Sequence, residues 1–347
     1  MLFTAILIFT GASHAAPVPN MTAGHPWPWH REGTVRVVVG GGGASSIWRP
    51  GSAILEMYRG FEPGQVKVIT SAGTNCESSG TSLVNSFANA GIVAEWIPIC
   101  DEYCDTAAFD PEVVAMIDSA DAIFYGGGQS GRLQSCLYGD YSQSGIDVDE
   151  GTMTPVLAAL IRKEIVGGSS AGAMNQPMSE ILVTGHSSES YAAVSAGEVF
   201  QRNRGNLMLE AEELVDSHFS ERGRQGRLML FAMQTNQRWA FGIDEDTAYL
   251  WRPDGVYEVV GEAMRDGIRG GVVIFKDTVG TPAVQSSMVH FLTEGDTINP
   301  STGEIVWNAD KTPCAPVGLP DPSNAIFNGS PTVPWRTISV AMARQVG

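Results

Sequence analysis

Short runs of β-branched and other apolar residues recur along the first half of the chain and alternate with segments of helical spacing. The apolar runs cover residues 35–39, 66–69, 94–97 and 122–125, and the helical segments between them include 54–59, 82–90 and 111–118. This alternation predicts an α/β fold with a doubly wound, mainly parallel sheet. Two of the runs end in glycine-rich segments, so the working loops should lie at the carboxyl edge of the sheet.

The composition gives more information on the binding partners of the protein than on its fold. The chain has 347 residues, of which 43% are hydrophobic and 17% charged, an ordinary balance for a globular protein. Its formal net charge of −17 disfavours nucleic acid and anionic membranes and mildly favours cationic substrates. We therefore expect neither a nucleic-acid nor a membrane partner. A homodimer is compatible with this composition.

The N-terminus has the pattern of a secretory signal peptide over residues 1–16. A short apolar run is followed by small residues around an A-x-A-like site, and prolines begin at Pro17. The alternative, an apolar first strand, fits less well because Pro17, Pro19, Pro26 and Pro28 follow at once. We expect a secreted protein with a lead-in at 17–33, one α/β domain at 34–280 and a C-terminal extension at 281–347.

Export makes disulfides possible for the five cysteines, Cys76, Cys100, Cys104, Cys136 and Cys314. The odd count leaves at least one thiol unpaired within the chain. Cys100 and Cys104 flank three residues and could close a small loop. Without nearby histidine pairs the cysteines do not predict a zinc site, and we expect no metal or other cofactor.

A glycine run at 40–43 follows the first apolar strand of the predicted domain. A nucleotide site would need further glycines at set spacing or a following lysine, and neither is present. We interpret the run as a tight turn beneath an active site.

The strongest chemical signal is the sequence Gly168-Ser169-Ser170-Ala171-Gly172, a G-x-S-x-G elbow. A short apolar strand precedes it and a helix-compatible stretch follows. Such a turn exposes the serine hydroxyl and directs backbone amides at a developing oxyanion. The pattern predicts that Ser170 is a nucleophile.

A nucleophilic serine needs a base, and His218 is the candidate. Of the six histidines, three lie in the leader or lead-in, whereas His218 ends an apolar strand just before an arginine cluster. A helix from about residue 224 to 234 would turn Arg224 and Arg227 inward. Two inward cations at a helix N-terminus suggest a bound anion. The alternative is an ion-pair network with Asp216, Glu221 and Glu210.

Together, residues 167–173, 216–228 and 242–248 resemble cyanophycinase. That family belongs with the aspartyl dipeptidases among serine peptidases, and its fold is similar to that of class I glutamine amidotransferases. The resemblance runs in order from about residue 35 to 276 and includes the segment 125–133. It implies hydrolysis of cyanophycin, or a related aspartyl peptide, to β-aspartyl-arginine dipeptides, with no cofactor.

The resemblance also implies roles for individual residues. Ser170 and His218 would form a triad with an acid between them, for which Glu189 fits best and Glu180 and Glu198 stay open. Gly128 and the Ala171 amide would form the oxyanion hole. The implied pocket residues are Gln129, Asp216, Arg222, Arg224 and Arg227.

Two departures from the family pattern bear on specificity. The family usually has Thr at the position of Ser169 and Gln at the position of Ser217. The second change touches the pocket. Two other functions are compatible with the sequence: an α/β-hydrolase esterase that uses Ser170 with His290, and a non-catalytic binder of acidic ligands.

Overall fold

A computed structural model describes residues 4–8, 34–42, 46–138, 154–177, 181–182, 202–203, 213–261, 264–265, 268–281 and 284–309. The strands are β1 (Thr4–Ile8), β2 (Val35–Val39), β3 (Val66–Ile69), β4 (Ala94–Trp96), β5 (Ala122–Tyr125), β6 (Ile165–Ser169), β7 (Ile181–Leu182), β8 (Arg202–Asn203), β9 (Glu213–Asp216), β10 (Trp239–Ile243), β11 (Ala248–Trp251), β12 (Tyr257–Val260), β13 (Met264–Arg265), β14 (Ile268–Arg269), β15 (Val272–Thr281), β16 (Val284–Leu292), β17 (Thr297–Asn299) and β18 (Glu304–Val306). The helices are α1 (Ala53–Arg59), α2 (Cys76–Asn89), α3 (Cys104–Ala107), α4 (Pro111–Asp118), α5 (Ser130–Tyr138), α6 (Pro155–Leu160), α7 (Ala171–Met174) and α8 (Gln225–Thr235).

The main sheet has nine strands in the order β18-β17-β12-β11-β2-β6-β5-β3-β4. The five strands from β2 to β4 pair in parallel, as the alternating pattern predicts. The remaining four add to β2 as an antiparallel extension. The doubly wound α/β fold class is therefore confirmed, and the antiparallel extension is an addition to it.

A second sheet has the order β1-β16-β15-β10-β9. Its strands β9 and β10 are parallel, with Asp216 opposite Gly242, so their carboxyl ends lie side by side. Strands β10, β15 and β16 pair antiparallel. This sheet is where the residues that follow β9 and β10 are brought together.

Four apolar clusters hold these layers together. One packs α1 and α2 on one face of the parallel strands, and another packs α4, α5 and α6 on the opposite face. A third lies between the antiparallel extension and the second sheet, and includes Phe241, Tyr249 and Ile274. The fourth packs α8 on the outer face of the second sheet through Leu228 and Phe231. Apolar burial of this kind is the main favourable term in folding.

The start of α6 follows a local rule that the sequence already displays. Pro155 stands at the first helical position, and the Thr154 hydroxyl accepts a hydrogen bond from the Leu157 N–H at 3.1 Å. This N-cap with a following proline satisfies an amide that the helix itself cannot pair.

The structure corrects the expectation of a separate C-terminal extension from residue 281, for the part of it that is described (281 and 284–309). Strand β16 pairs with β15 across the expected boundary at 280, and β17 and β18 complete the main sheet. The side chains of Val289, Phe291 and Ile298 are buried. Their alternation with polar residues is the period-two pattern of a strand with one buried face.

At the N-terminus, β1 lies at the edge of the second sheet and pairs antiparallel with β16, with Thr4 opposite Met288. The uncleaved chain therefore has the apolar first strand that was the alternative to a signal peptide. Cleavage after residue 16 would remove β1 and leave β16 as the sheet edge.

The cysteines pair differently from the expected Cys100–Cys104 loop. Cys76 is bonded to Cys100 and Cys104 to Cys136, with Cα separations of 5.5 and 4.5 Å. Each bridge joins segments that are distant in sequence and adjacent in the fold, so spacing alone could not reveal them. Cys314 lies outside the described residues. Within the described part of the chain, no helix has the length and apolar character needed to cross a bilayer.

Candidate active site

Ser170 lies at a sharp turn between β6 and α7. Its backbone has φ 57° and ψ −114°, a strained conformation for a residue with a side chain. A Cβ atom at Gly168 would lie 2.4 Å from the Gly172 carbonyl oxygen, and one at Gly172 would lie 2.5 Å from the Tyr125 carbonyl oxygen. The two glycines of the elbow are therefore required by close backbone packing. The turn leaves the Ser170 hydroxyl free to meet a base.

The hydroxyl and His218 are in direct contact. Ser170 Oγ lies 2.8 Å from Nε2 of His218. His218 follows β9 in a left-handed conformation, with φ 46°, and its N–H donates to the Gly40 carbonyl at 2.7 Å. This is the hydrogen-bond geometry of a nucleophile with its general base.

The other ring nitrogen of His218 faces an acid that the sequence analysis did not assign to the triad. His218 Nδ1 lies 2.8 Å from Oε1 of Glu245, which follows β10. A neutral imidazole has one N–H, so a carboxylate at Nδ1 leaves Nε2 free to accept the serine proton. The residues Glu180, Glu189 and Glu198 lie outside the described residues.

The glycine run after β2 lies directly under this group. A Cβ at Gly41 would lie 2.4 Å from the His218 ring, and one at Gly42 would lie 2.5 Å from Oε2 of Glu245. Both glycines have positive φ. The run thus serves as the tight turn beneath the site that the sequence suggested.

Backbone amides next to Ser170 form a candidate oxyanion hole. Gly128 has φ 144°, and a Cβ there would lie 2.0 Å from the Ala72 carbonyl oxygen, which accepts the Gln129 N–H at 2.8 Å. A Cβ at Gly127 would lie 3.0 Å from that of Ser170. Over the described ranges, no hydrogen bond is formed by the N–H of Gly128 or Ala171. These two amides are the donors implied by the resemblance.

The predicted pocket arginines have a carboxylate partner within the protein. Asp216 is fully buried, and Arg227 binds both of its oxygens, at 2.7 and 2.6 Å. Arg224 donates to Asp216 at 2.9 Å and to the Ser217 carbonyl at 2.8 Å. Burial alone would raise the pKa of Asp216, but Arg227 and Arg224 hold it below its usual value. The ion-pair alternative is realised for Asp216 only, since Glu221 forms no ion pair with a described residue and Glu210 lies outside the described residues. A substrate role for these arginines stays a prediction.

We expect Arg227→Met to destabilise the protein strongly, because it removes a bidentate partner from a buried carboxylate. The free energy of unfolding should fall by about 3–5 kcal/mol. Arg162→Met is the control, since Arg162 forms an exposed pair with Asp118 at 2.8 Å and should cost at most about 1 kcal/mol. Denaturant titration measures both. An unchanged stability in Arg227→Met, with weakened substrate binding, would favour the ligand-binding interpretation.

The remaining candidates lie in different surroundings. Gln129 is exposed and Arg222 is half-buried. Ser217 is buried, and its hydroxyl has no hydrogen-bond partner in the part of the chain that is described. His290 lies on β16 opposite Ile274, and Ser170 bonds to His218 instead. The geometry thus gives no support to the esterase alternative.

The pKa of His218 lies below its ordinary value of 6.5. Burial is the largest cause, and the charges of Arg222 and Arg224 act in the same direction, whereas the hydrogen bond to Glu245 opposes them. The imidazole is therefore neutral, and able to accept a proton, at neutral pH.

This pKa gives a test in solution. The rate at which a serine-reactive phosphonate labels Ser170 should rise with pH through a midpoint below 6.5. Arg222→Gln should move the midpoint to higher pH, because a cation that disfavours the imidazolium is removed. Arg59→Gln, at an exposed arginine on α1, should leave it unchanged. A midpoint that stays in place or falls in Arg222→Gln would contradict the assignment.

The described residues contain no group of three His, Cys, Asp or Glu side chains suited to a metal ion.

The chain is similar in sequence and in fold to known peptidases. A cyanophycinase of Nostoc sp. is 28% identical over 243 residues, covering 65% of this chain and 70% of the relative. One of Geminocystis herdmanii is 26% identical over 282 residues, covering 77% and 94%. The crystal structure of a peptidase from an acI-B1 Actinobacterium matches with a TM-score of 0.52 at 19% identity, over 77% of this chain and 97% of that one. No protein-family model matches the chain.

The fold and these relatives define a hydrolase of the peptidase class. Within that class the chain is similar to the cyanophycinases, at 26–28% identity to the relatives above.

Proposed function

We propose that this chain is a serine peptidase with the triad Ser170, His218 and Glu245. The observation that carries the proposal is the continuous hydrogen-bond chain from Ser170 Oγ through the imidazole to the Glu245 carboxylate. Glu245 takes the role that the sequence analysis gave to Glu189. A histidine Nδ1 has room for one carboxylate, so a second acid there would have to displace Glu245.

In the proposed reaction, Ser170 Oγ attacks the scissile carbonyl carbon and His218 Nε2 takes the hydroxyl proton. The oxyanion accepts hydrogen bonds from the amides of Gly128 and Ala171. The imidazolium then protonates the leaving amine, and an acyl-enzyme ester remains on Ser170. Water, deprotonated by His218, hydrolyses that ester and restores the free serine.

We propose cyanophycin as the substrate, because the curated relatives are cyanophycinases. The charges next to the triad suit a polymer of aspartate carrying arginine. Arg224 and Arg227 bind Asp216, and we propose that the positive charge of these arginines and of Arg222 also attracts substrate carboxylates. The Nε of Arg224 is buried without an acceptor in the described residues. The overall charge of −17 attracts the arginine side chains of the polymer.

Incubation with insoluble cyanophycin, followed by mass analysis of the soluble fraction, tests this function. We expect β-aspartyl-arginine dipeptides from the earliest time points, as an exopeptidase requires, and none with Ser170→Ala. Longer oligomers at early times would contradict the exopeptidase assignment. If a phosphonate labels Ser170 but no dipeptide is released, the protein would still be a serine hydrolase, and cyanophycin would be excluded as its substrate.

We propose that the protein is exported, a proposal that the leader pattern and the two disulfides support. Sequencing the N-terminus of protein recovered from outside the cytoplasm should give a start near residue 17. A mature protein that begins at Met1 would contradict export by cleavage and would retain β1 in the sheet.

A further inference from the structure

The His218 and Glu245 loops are joined by a buried carboxylate that makes no contact with the proposed reacting groups. Asp244 is 3% exposed and immediately precedes Glu245. Its Oδ1 accepts the N–H of Ser220 at 2.9 Å, and Ser220 is two residues beyond His218. Its Oδ2 accepts the N–H of Gly271, the residue immediately before β15, at 3.1 Å. One side chain thus connects the base loop, the acid loop and the sheet beneath them.

The backbone around Asp244 reinforces this connection. The Phe219 N–H donates to the Ile243 carbonyl at 3.1 Å, and the Asp244 N–H donates to the Gly271 carbonyl at 3.1 Å. A Cβ at Gly40 would lie 1.9 Å from the Asp244 carbonyl oxygen, so the glycine turn closes over it. His218 has φ 46°, a conformation that its surroundings must enforce. One of the two bonds accepted by Asp244, from the Ser220 N–H, holds the backbone two residues after this strained residue.

The choice of a carboxylate here is costly for stability. Asp244 forms no ion pair with any Lys or Arg of the described residues, and burial raises its pKa to about 6, with the Glu245 charge also contributing. Burial, followed by the Asp244 charge, raises the pKa of Glu221 to about 7. Two neighbouring carboxyl groups whose pKa values are raised by burial would be a poor solution for stability alone. Their location beside the triad indicates a functional reason.

We propose that Asp244 is a positioning residue, whose two backbone hydrogen bonds fix the distance between the His218 imidazole and the Glu245 carboxylate. This inference rests on the proposed function, because it concerns how the triad is held. Asp244 itself touches neither substrate nor the serine. Its loss lets the imidazole move relative to Glu245 and Ser170, so the effect falls on turnover rather than on substrate binding.

The chain offers a matched control for this role. Asp296 is also fully buried and also accepts two backbone N–H bonds, from Thr293 at 2.8 Å and from Asn308 at 2.9 Å. It lies between β16 and β17, and these two bonds join neither the His218 loop nor the Glu245 loop. Asp244→Ala and Asp296→Ala therefore remove similar bonds at different places. A purely structural role predicts similar behaviour for the two variants.

The test measures steady-state kinetics, with the concentration of folded protein determined by circular dichroism. We expect kcat of Asp244→Ala to fall about 10- to 100-fold, since a displacement near 1 Å costs this much, with KM within about threefold. Asp244→Asn, which keeps one acceptor, should retain more activity. Asp296→Ala should keep kcat within about twofold. Normal kcat in folded Asp244→Ala, or an equal loss in Asp296→Ala, would overturn the proposal.

A second readout does not depend on activity. The proton on His218 Nδ1 should give a low-field NMR resonance, because this proton is hydrogen-bonded to the Glu245 carboxylate. We expect that resonance to move or broaden in Asp244→Ala and to persist in Asp296→Ala. If Asp244→Ala does not fold, the same two measurements on Asp244→Asn test the positioning role. An inactive parent protein would refute the proposed function, whereas an unchanged resonance in the Asp244 variants would refute the positioning role.

Discussion

Ser170→Ala is expected to fold normally and to lose at least about a thousandfold in kcat, because a triad without its nucleophile retains only binding and oxyanion stabilisation. The rate of cyanophycin hydrolysis by Ser170→Ala and by the parent protein, at saturating substrate, measures the loss. The expectation follows from the 2.8 Å contact of Ser170 Oγ with His218 and from the strained turn that exposes this hydroxyl.

Ser169→Ala is the matched control, since Ser169 is the last residue of β6 and its side chain is only a neighbour of the nucleophile. Its activity should stay within a few-fold of the parent. Activity of Ser170→Ala within tenfold of the parent would remove Ser170 from the mechanism.

Glu245→Gln is expected to have the next largest effect, a loss in kcat of about 10²- to 10⁴-fold. An amide at this place can donate to Nδ1, which favours the tautomer with the proton on Nε2. That tautomer cannot accept the serine proton. Structure and thermal stability should change little, because Gln has the same shape as Glu and this side chain is partly exposed, at 25%.

The same substitution at Glu180, Glu189 and Glu198 provides the comparison that decides the acid. Each of these variants should keep activity close to that of the parent if Glu245 completes the triad. A larger loss in Glu189→Gln than in Glu245→Gln would restore the original assignment.

The parallel half of the main sheet could be predicted from local pattern alone. The runs that became β2, β3, β4 and β5 are short, apolar and separated by segments with helical spacing, so period and length sufficed. The elbow was predicted for the same reason, because its glycines are contiguous with the serine. The contact of His218 with Ser170 followed from the resemblance and from its place after an apolar strand.

Glu245, the acid of the proposed triad, was not predicted from the sequence because its position depends on long-range pairing. Glu245 approaches His218 since β9 and β10 lie parallel and end together, with Asp216 opposite Gly242. No local pattern marks that pairing. The motif 242–248 had already contributed to the resemblance. The signal that could have identified Glu245 is its place two residues after an apolar strand, as with His218.

The arginines and the cysteines illustrate the same limit. Helical spacing correctly turned Arg224 and Arg227 inward, but whether an inward cation meets a ligand or Asp216 depends on how α8 packs on β9. Cys76 and Cys104 are paired with residues 24 and 32 positions away. Sequence distance carries little information on such contacts, since the fold determines which segments meet.

The most direct test of the account is to map the site of covalent labelling by a serine-reactive phosphonate. Digestion and mass analysis should find a single adduct on Ser170. Its rate of formation should collapse in His218→Ala and Glu245→Gln and be unchanged in His290→Ala. An adduct on a different serine, or peptide hydrolysis by a protein that forms no adduct at Ser170, would contradict the proposed triad.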